Sequence, residues 1–188
     1  DSIEAMKKCG AVGKNMQFNQ IRIVKEDGSL CNMHEVGELQ LKGKHLFKEY
    51  WKNERETKAA FCEEWFKTGD LAKMDDQHDV YIVGRKKEII ISGGENIYPQ
   101  EIEQCIIKHP NVKEVAVIGA DDFYWGEVVT ACIVCYEEVD GFTEQIRAYC
   151  VQQLAKYKIP KKILLLNELP KTTVGKIDKK KLKQLVSS

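Results

Sequence analysis

The sequence has no excess of charge of either sign: 29 Lys and Arg residues balance 29 Asp and Glu, for a formal net charge of +0. That balance removes any general electrostatic ground for binding nucleic acid or an anionic membrane. Long apolar runs are missing too; none approaches the roughly 20 residues needed to span a bilayer. The opening Asp1-Ser2-Ile3-Glu4 does not read as a signal peptide, and the expected location is the cytoplasm. A disulfide framework is absent as well. The seven cysteines are odd in number and scattered without framework spacing, which reads as reduced thiols.

Several chemical signatures are also lacking. Gly37 to Gly43-Lys44 has five intervening residues where a Walker loop has four, and His45 follows where Ser or Thr is required. Gly10-Ala11-Val12-Gly13-Lys14-Asn15 fails in spacing and in its final residue. No H-E-x-x-H, nucleophile elbow or zinc-finger spacing occurs. His34, His45, His78 and His109 are scattered among polar or turn neighbours, and no metal site is expected.

What remains is an ordinary globular composition, 43% hydrophobic and 31% charged, in a length that suits one medium domain or two small ones. The first part alternates as strands do. Gln20 to Lys25 and Val36 to Leu41 flank the turn Asp27-Gly28, and Val80 to Val83 returns from a turn at Asp75-Asp76-Gln77-His78. Asn53 followed by Glu56 predicts a capping box opening a short helix through Phe61. After Gly84-Arg85-Lys86-Lys87 the pattern changes. Glu88 to Ile91 predicts a short strand ending at Ser92-Gly93-Gly94, and Pro99 opens a helix with Ile102, Cys105 and Ile106 on one face. Strands are predicted over Val112 to Gly119 and Val128 to Tyr136. A helix capped by Thr143 should carry Ile146, Tyr149, Cys150 and Leu154 on one face. Lys162 to Leu166 predicts a further strand, and Asp178 caps a lysine-rich helix. The expectation is an α+β fold: a β-rich unit over residues 1–85 and a compact α+β domain over residues 86–188. Cys132 and Cys135 form a C-x-x-C pair on a predicted strand, where residues three apart face opposite ways and cannot share a metal.

Three segments stand out. Thr68-Gly69-Asp70 follows Trp65-Phe66-Lys67 between two strands, and a turn carboxylate can accept hydrogen bonds from a vicinal diol. Alone, Gly-Asp is a common turn. Gly84 to Glu103 is a charged joint, a buried strand, a glycine pair and a helix start; paired glycines permit positive φ and leave room for a narrow ligand. Leu169-Pro170-Lys171-Thr172-Thr173-Val174-Gly175-Lys176-Ile177-Asp178 puts a lysine after a glycine on a turn-rich loop. Lys179, Lys180, Lys181 and Lys183 read as solvated surface charges.

Together and in this order, these segments resemble the acyl-CoA synthetases of the adenylate-forming superfamily, from about Val12 to Leu185. The resemblance implies an AMP-forming ligase: a carboxylic acid, expected to be fatty, reacts with ATP to give an acyl-adenylate, and the CoA thiol then takes the acyl group. It implies that Asp70 holds the ribose hydroxyls with Arg85 assisting, and that Lys176 contacts the carboxylate and α-phosphate oxygens. It implies a hinge at Lys87, and a CoA channel beside Gly93 and Gly94, with Trp125 and Tyr157 near it. The cofactors implied are ATP, Mg²⁺ held mainly outside these residues, and CoA as co-substrate. The superfamily's larger N-terminal region, with its phosphate loop, adenine site and acyl pocket, is not in this sequence. The chain is therefore expected to be the end of that region followed by the mobile C-terminal domain, inactive alone. Some relatives carry an arginine before the proline that follows the second helix. Here Ile159 precedes Pro160, so a CoA-phosphate contact is either missing or supplied by Lys158 or Lys161. Alternative expectations are an adenylation domain that loads a carrier protein, and a detached nucleotide- or CoA-binding domain. The Ser92 to Pro99 loop looks more like the CoA-using members.

Overall fold

The computed structural model describes residues 10–15 and 18–187. The chain divides into two compact units, Asp1–Lys87 and Glu88–Ser188, and the fold is α+β. Among the described residues no helix is long and apolar enough to cross a membrane.

The first unit is built on one sheet. Its strands are β1 (Ala11–Gly13), β2 (Asn19–Val24), β3 (Gly37–Gly43), β4 (Phe61–Cys62), β5 (Trp65–Met74) and β6 (Val80–Arg85), in the order β1-β6-β5-β3-β2, with β4 also on β5. The expected alternation is met: Ile21 and Ile23 on β2 and Leu39 and Leu41 on β3 turn toward Ala72 and Val80. Helix α1 (Glu54–Ala60) starts where Asn53 predicts, with the Asn53 side chain accepting the Glu56 N–H at 3.1 Å. The capping box is only half made, because the Asn53 N–H donates to the Tyr50 carbonyl instead.

The second unit holds β7 (Ile90–Ser92), β8 (Glu95–Ile97), β9 (Val112–Asp122), β10 (Gly126–Cys135) and β11 (Lys162–Leu165), with helices α2 (Pro99–Ile106), α3 (Phe142–Gln153) and α4 (Lys179–Ser187). Pro99 opens α2, whose Ile102, Cys105 and Ile106 are buried as the stripe predicts. Strand β8 has no counterpart in the sequence reading; Glu95-Asn96-Ile97 pairs back onto β7 across Gly93-Gly94. Strand β9 runs past the expected Gly119 to Asp122, and β10 starts earlier than expected, at Gly126, but ends at Cys135, short of Tyr136. They are joined by a tight connection in which Asp122 Oδ1 accepts the N–H groups of Tyr124 and Trp125. Helix α3 is not capped by Thr143. Gly141, at φ +71°, turns the chain into Phe142, and the Thr143 hydroxyl is spent on Glu144 Oε2 at 2.8 Å. The helix carries the chain over to β11, which lies parallel to β10, the pairing that requires such a crossover. Asp178 caps α4 as expected, accepting the Lys181 N–H at 3.0 Å.

Strand β10 is covered on both faces. Val129, Ala131 and Ile133 join Ile102, Ile106 and Ile146 from α2 and α3. Cys132 and Val134 join Ala116, Leu169 and Leu182 on the α4 side. The C-x-x-C thiols accordingly face apart, Cys132 toward α4 and Cys135 toward the α2–α3 core.

Burial pushes the Cys132 thiol up to about 11 and the Cys150 thiol up to about 12. Since the thiolate is the nucleophile, both are neutral at pH 8. Iodoacetamide at that pH is expected to label the exposed Cys62 in the native protein while sparing Cys132 and Cys150 until a denaturant is added. Site-resolved mass spectrometry checks this; native labelling of Cys132 at the rate of Cys62 would show that its face is open.

Candidate functional site

In the first unit the geometry centres on Asp70. Gly69 takes φ +71°, a bend that a side chain would strain. On one side of it the Thr68 hydroxyl donates to the Leu39 carbonyl at 2.8 Å and accepts the Asp70 N–H at 3.0 Å. Asp70 on β5 lies directly across from Arg85 on β6. Arg85 Nε sits 2.8 Å from Asp70 Oδ1, and its NH1 donates to the Thr68 carbonyl at 3.2 Å. One carboxylate oxygen is therefore fixed by the guanidinium. The other has no partner among the described residues, and the side chain is partly open to solvent. Such a carboxylate can accept a hydroxyl in a set direction. Beyond Arg85, Lys86 is tied to Glu38 at 3.1 Å, whereas the Lys87 side chain, on a turn of 3₁₀ helix, has no partner among the described residues.

In the second unit, Gly93 and Gly94 form the β7–β8 turn at φ +59° and +86°. Their surroundings differ. The Gly93 N–H donates to the Trp125 carbonyl at 2.9 Å, and a Cβ placed on Gly93 would lie 2.7 Å from the indole Cε3. A Cβ on Gly94 would meet nothing. Trp125 is thus packed against the first glycine, while the second faces open space. The Lys161 ammonium stands 3.4 Å from the centre of the Trp125 ring, a cation–π contact. Tyr157 is half exposed and has the Lys158 ammonium 5.5 Å from its ring centre. Lys158 is committed to both oxygens of Glu101, at 2.6 and 2.7 Å. Burial works to lower its pKa, but that carboxylate outweighs it and holds the ammonium above its ordinary value. Of the two lysines flanking Ile159-Pro160, only Lys161 is free of a carboxylate.

Lys176 lies on a loop closed by hydrogen bonds. The Thr172 N–H donates to the Lys176 carbonyl at 2.7 Å, the Gly175 N–H to the Thr172 carbonyl at 2.9 Å, and the Asp178 N–H to the Pro170 carbonyl at 2.8 Å. The Lys176 N–H reaches the Thr172 hydroxyl at 3.2 Å, and Gly175 supplies the positive φ of +80° that the turn needs. Lys171 braces the loop against Glu114 of β9 at 2.9 Å. The backbone is held while the Lys176 ammonium is exposed and has no partner among the described residues.

Two lysines that read as solvated in the sequence are paired; Lys179 is largely covered, while Lys183 stays exposed. Lys179 sits between Glu88 and Glu103, 2.8 Å from each, and Lys183 contacts Glu127 at 3.0 Å. Their partners lie far off in sequence, so a run of lysines gives no sign of which ones are paired. Among the described residues no group of three His, Cys, Asp or Glu is placed to hold a metal ion.

Comparison with known proteins gives these residues a context. The family model of the AMP-binding enzyme C-terminal domain matches residues 101–176. The long-chain-fatty-acid–CoA ligase FadD13 of Mycobacterium tuberculosis is 41% identical over 187 residues, 100% of this chain and 37% of its own length. The 2-succinylbenzoate–CoA ligase of Bacillus subtilis is 40% identical over 179 residues, 95% of this chain and 36% of its own. A solved structure of the B. subtilis o-succinylbenzoate CoA synthetase with its acyl-adenylate intermediate superposes with a TM-score of 0.89 at 40% identity, again over 95% of this chain and 36% of that one. The chain thus spans a little over a third of the length of the relatives it matches.

Gly93 and Gly94 should respond differently to alanine. Either change costs about 1–2 kcal/mol for a side chain at left-handed φ. Gly93→Ala must also displace the indole, so it should shift Trp125 fluorescence, a change lost in a Trp125→Phe background, while Gly94→Ala leaves the emission unaltered. Equal shifts from both would mean that the glycines share one environment.

Proposed function

We propose, on the premise that this chain carries an AMP-binding enzyme C-terminal domain, that it is the C-terminal part of an AMP-forming acid–CoA ligase. In the first half-reaction an oxygen of the acid's carboxylate attacks the α-phosphorus of ATP and pyrophosphate leaves. In the second, the CoA sulfur attacks the acyl carbonyl, its proton is lost, and AMP leaves. CoA as acceptor is supported by the activities named for the relatives. They take different acids, a long-chain fatty acid and 2-succinylbenzoate, at nearly equal identity to this chain. A fatty acid is thus one member of the substrate class, and the choice of acid is made by residues outside the shared segment.

Each group has a task. Asp70, with one oxygen fixed by Arg85, accepts the ribose hydroxyls with the other. Lys176 meets the carboxylate and α-phosphate oxygens, where negative charge gathers as the new bond forms. A cation set there in advance needs no reorganisation at that moment. Lys87, which precedes the second unit, is the joint whose backbone turns between the half-reactions; few residues suffice for such a hinge. Gly94 leaves the space that pantetheine needs, and Trp125 with Lys161, and Tyr157, stand as the aromatic and cationic groups of the CoA side. Mg²⁺ finds no ligand set among the described residues, and no step here is assigned to it.

The observation that carries this reading is the Lys176 loop, a braced backbone presenting an unpaired ammonium. In the complete enzyme, Lys176→Ala should slow adenylate formation by on the order of a hundred- to a thousandfold, about 3–4 kcal/mol, the usual cost of one lost charge-stabilising donor. Thioester formation from pre-made adenylate should persist. Single-turnover kinetics started from acid plus ATP, and separately from the adenylate, check this; wild-type adenylation by the variant would return Lys176 to the solvated lysines. The 188-residue chain alone should release no pyrophosphate from ATP with any acid offered. Steady turnover would show that the missing phosphate loop is not needed.

A further inference from the structure

Three residues beyond Lys176, at the first position of α4, lies a lysine held by two carboxylates. The Lys179 side chain is 23% exposed, and its ammonium is 2.8 Å from Glu88 Oε2 and 2.8 Å from Glu103 Oε1. The two carboxylates differ in how they are held: Glu103 is largely covered, whereas Glu88 is exposed. Glu103 projects from α2, and its Oε1 also accepts the N–H of Val117 on β9 at 2.8 Å. Glu88 is the first residue of the second unit and follows Lys87 directly. Burial would lower the lysine's pKa, but the two carboxylates outweigh it and raise the ammonium above its ordinary value, so it stays charged throughout the working pH range. One helical turn on, Lys183 holds Glu127 at 3.0 Å, and the other oxygen of Glu127 accepts the N–H of Ile91 on β7, the strand that enters Gly93-Gly94.

Apolar packing of α4 through Leu182 keeps the helix on the sheet, but such contacts are non-directional and permit small slides along its axis. Charge-assisted hydrogen bonds to two carboxylates, one of them also held by a backbone N–H, are directional and short. They set where the helix begins, and hence where the loop before it projects.

From these contacts we infer that Lys179 is a positioning residue. It locks the start of α4 to Glu88 and to α2, so that the Lys176 loop and the segment just past the Lys87 joint move as one body. This rests on the roles given above to Lys176 and Lys87. It assigns the first position of the lysine run a task in the reaction sequence rather than at the reacting atoms.

The test uses the complete enzyme that contains this chain. Lys179→Met keeps the length and apolar stem of the side chain and removes the charge. Adenylation kcat should fall by roughly ten- to a hundredfold, because about an ångström of misplacement of a reacting group is enough for that. The KM values for ATP and acid should hardly move. Lys179→Arg should recover most of the rate, and Glu88→Gln should reproduce part of the defect and add nothing in the double variant. Circular dichroism at the assay temperature restricts the comparison to folded protein, and Glu88→Gln carries the test if Lys179→Met does not fold. Folded Lys179→Met or Glu88→Gln with wild-type rates in both half-reactions would overturn the inference, as would losses that simply add in the double variant. Lys176→Ala is run alongside: if that variant is slow and the Lys179 and Glu88 variants are normal, only the positioning role fails. If Lys176→Ala itself adenylates normally, the function proposed above fails with it.

Discussion

The second unit depends on one strand being buried on every side. From Val128 to Val134 β10 has no exposed residue, and it is hydrogen-bonded along one edge to β9 and along the other to β11 and β7. Fully burying a Val, Leu or Ile side chain contributes about 1.5–3 kcal/mol, so the faces formed by Val129, Ala131 and Ile133 and by Cys132 and Val134 together outweigh anything local. Both coverings must therefore be present. Helices α2 and α3 supply one, and Leu169 with α4 supplies the other. The site groups of this unit lie where this strand's partners end: Gly126 pairs with Ser92 beside the glycine turn, and the Lys176 loop bridges Leu169 and α4.

Electrostatics then decides which surface groups are available. Lysine is the commonest cation near these loops, and several of its copies are committed: Lys171 to Glu114, Lys158 to Glu101, Lys179 to Glu88 and Glu103, Lys183 to Glu127. The more exposed of these pairs, such as Lys183 with Glu127, contribute little stability, about 0–1 kcal/mol, but they fix directions. The Lys176 ammonium and the ring-stacked Lys161 are among the cations with no carboxylate partner among the described residues, and a ligand could use them. Asp70 shows the same economy, with one oxygen committed to Arg85 and one open.

Much of this was legible in the sequence because it follows from local periodicity. The alternation of Gln20 to Lys25, the Asn53 cap, Pro99 at a helix start and the opposed thiols of Cys132 and Cys135 all depend on residues a few positions apart. What escaped depends on distant partners. Glu95-Asn96-Ile97 is too short and polar to announce a strand, and becomes β8 only because β7 offers it an edge. The cap of α3 went to Gly141 because a positive φ turns the chain there, whereas Thr143 is already inside the helix. Lys179 and Glu88 are 91 positions apart, and no spacing rule links them. For the site, Asp70, Gly93, Gly94 and Lys176 stood out through their joint resemblance to one superfamily, while spacing alone left each an ordinary turn residue. That Gly93 accommodates an indole and Gly94 does not was invisible without coordinates.

The two-sided burial of β10 also sets an order of events in the cell. One of its coverings is made of Leu169 and Leu182, which follow every strand of the sheet along the chain. A ribosome adding about 5–20 residues per second therefore releases the sheet with Ala116, Ile118, Cys132 and Val134 uncovered for a second or more. In that interval the nascent unit presents a bare apolar face, the kind of surface chaperones bind and aggregates grow from. The Lys176 loop lies between the two residues that close the face, so Lys176 takes its place in the same step that ends the hazard.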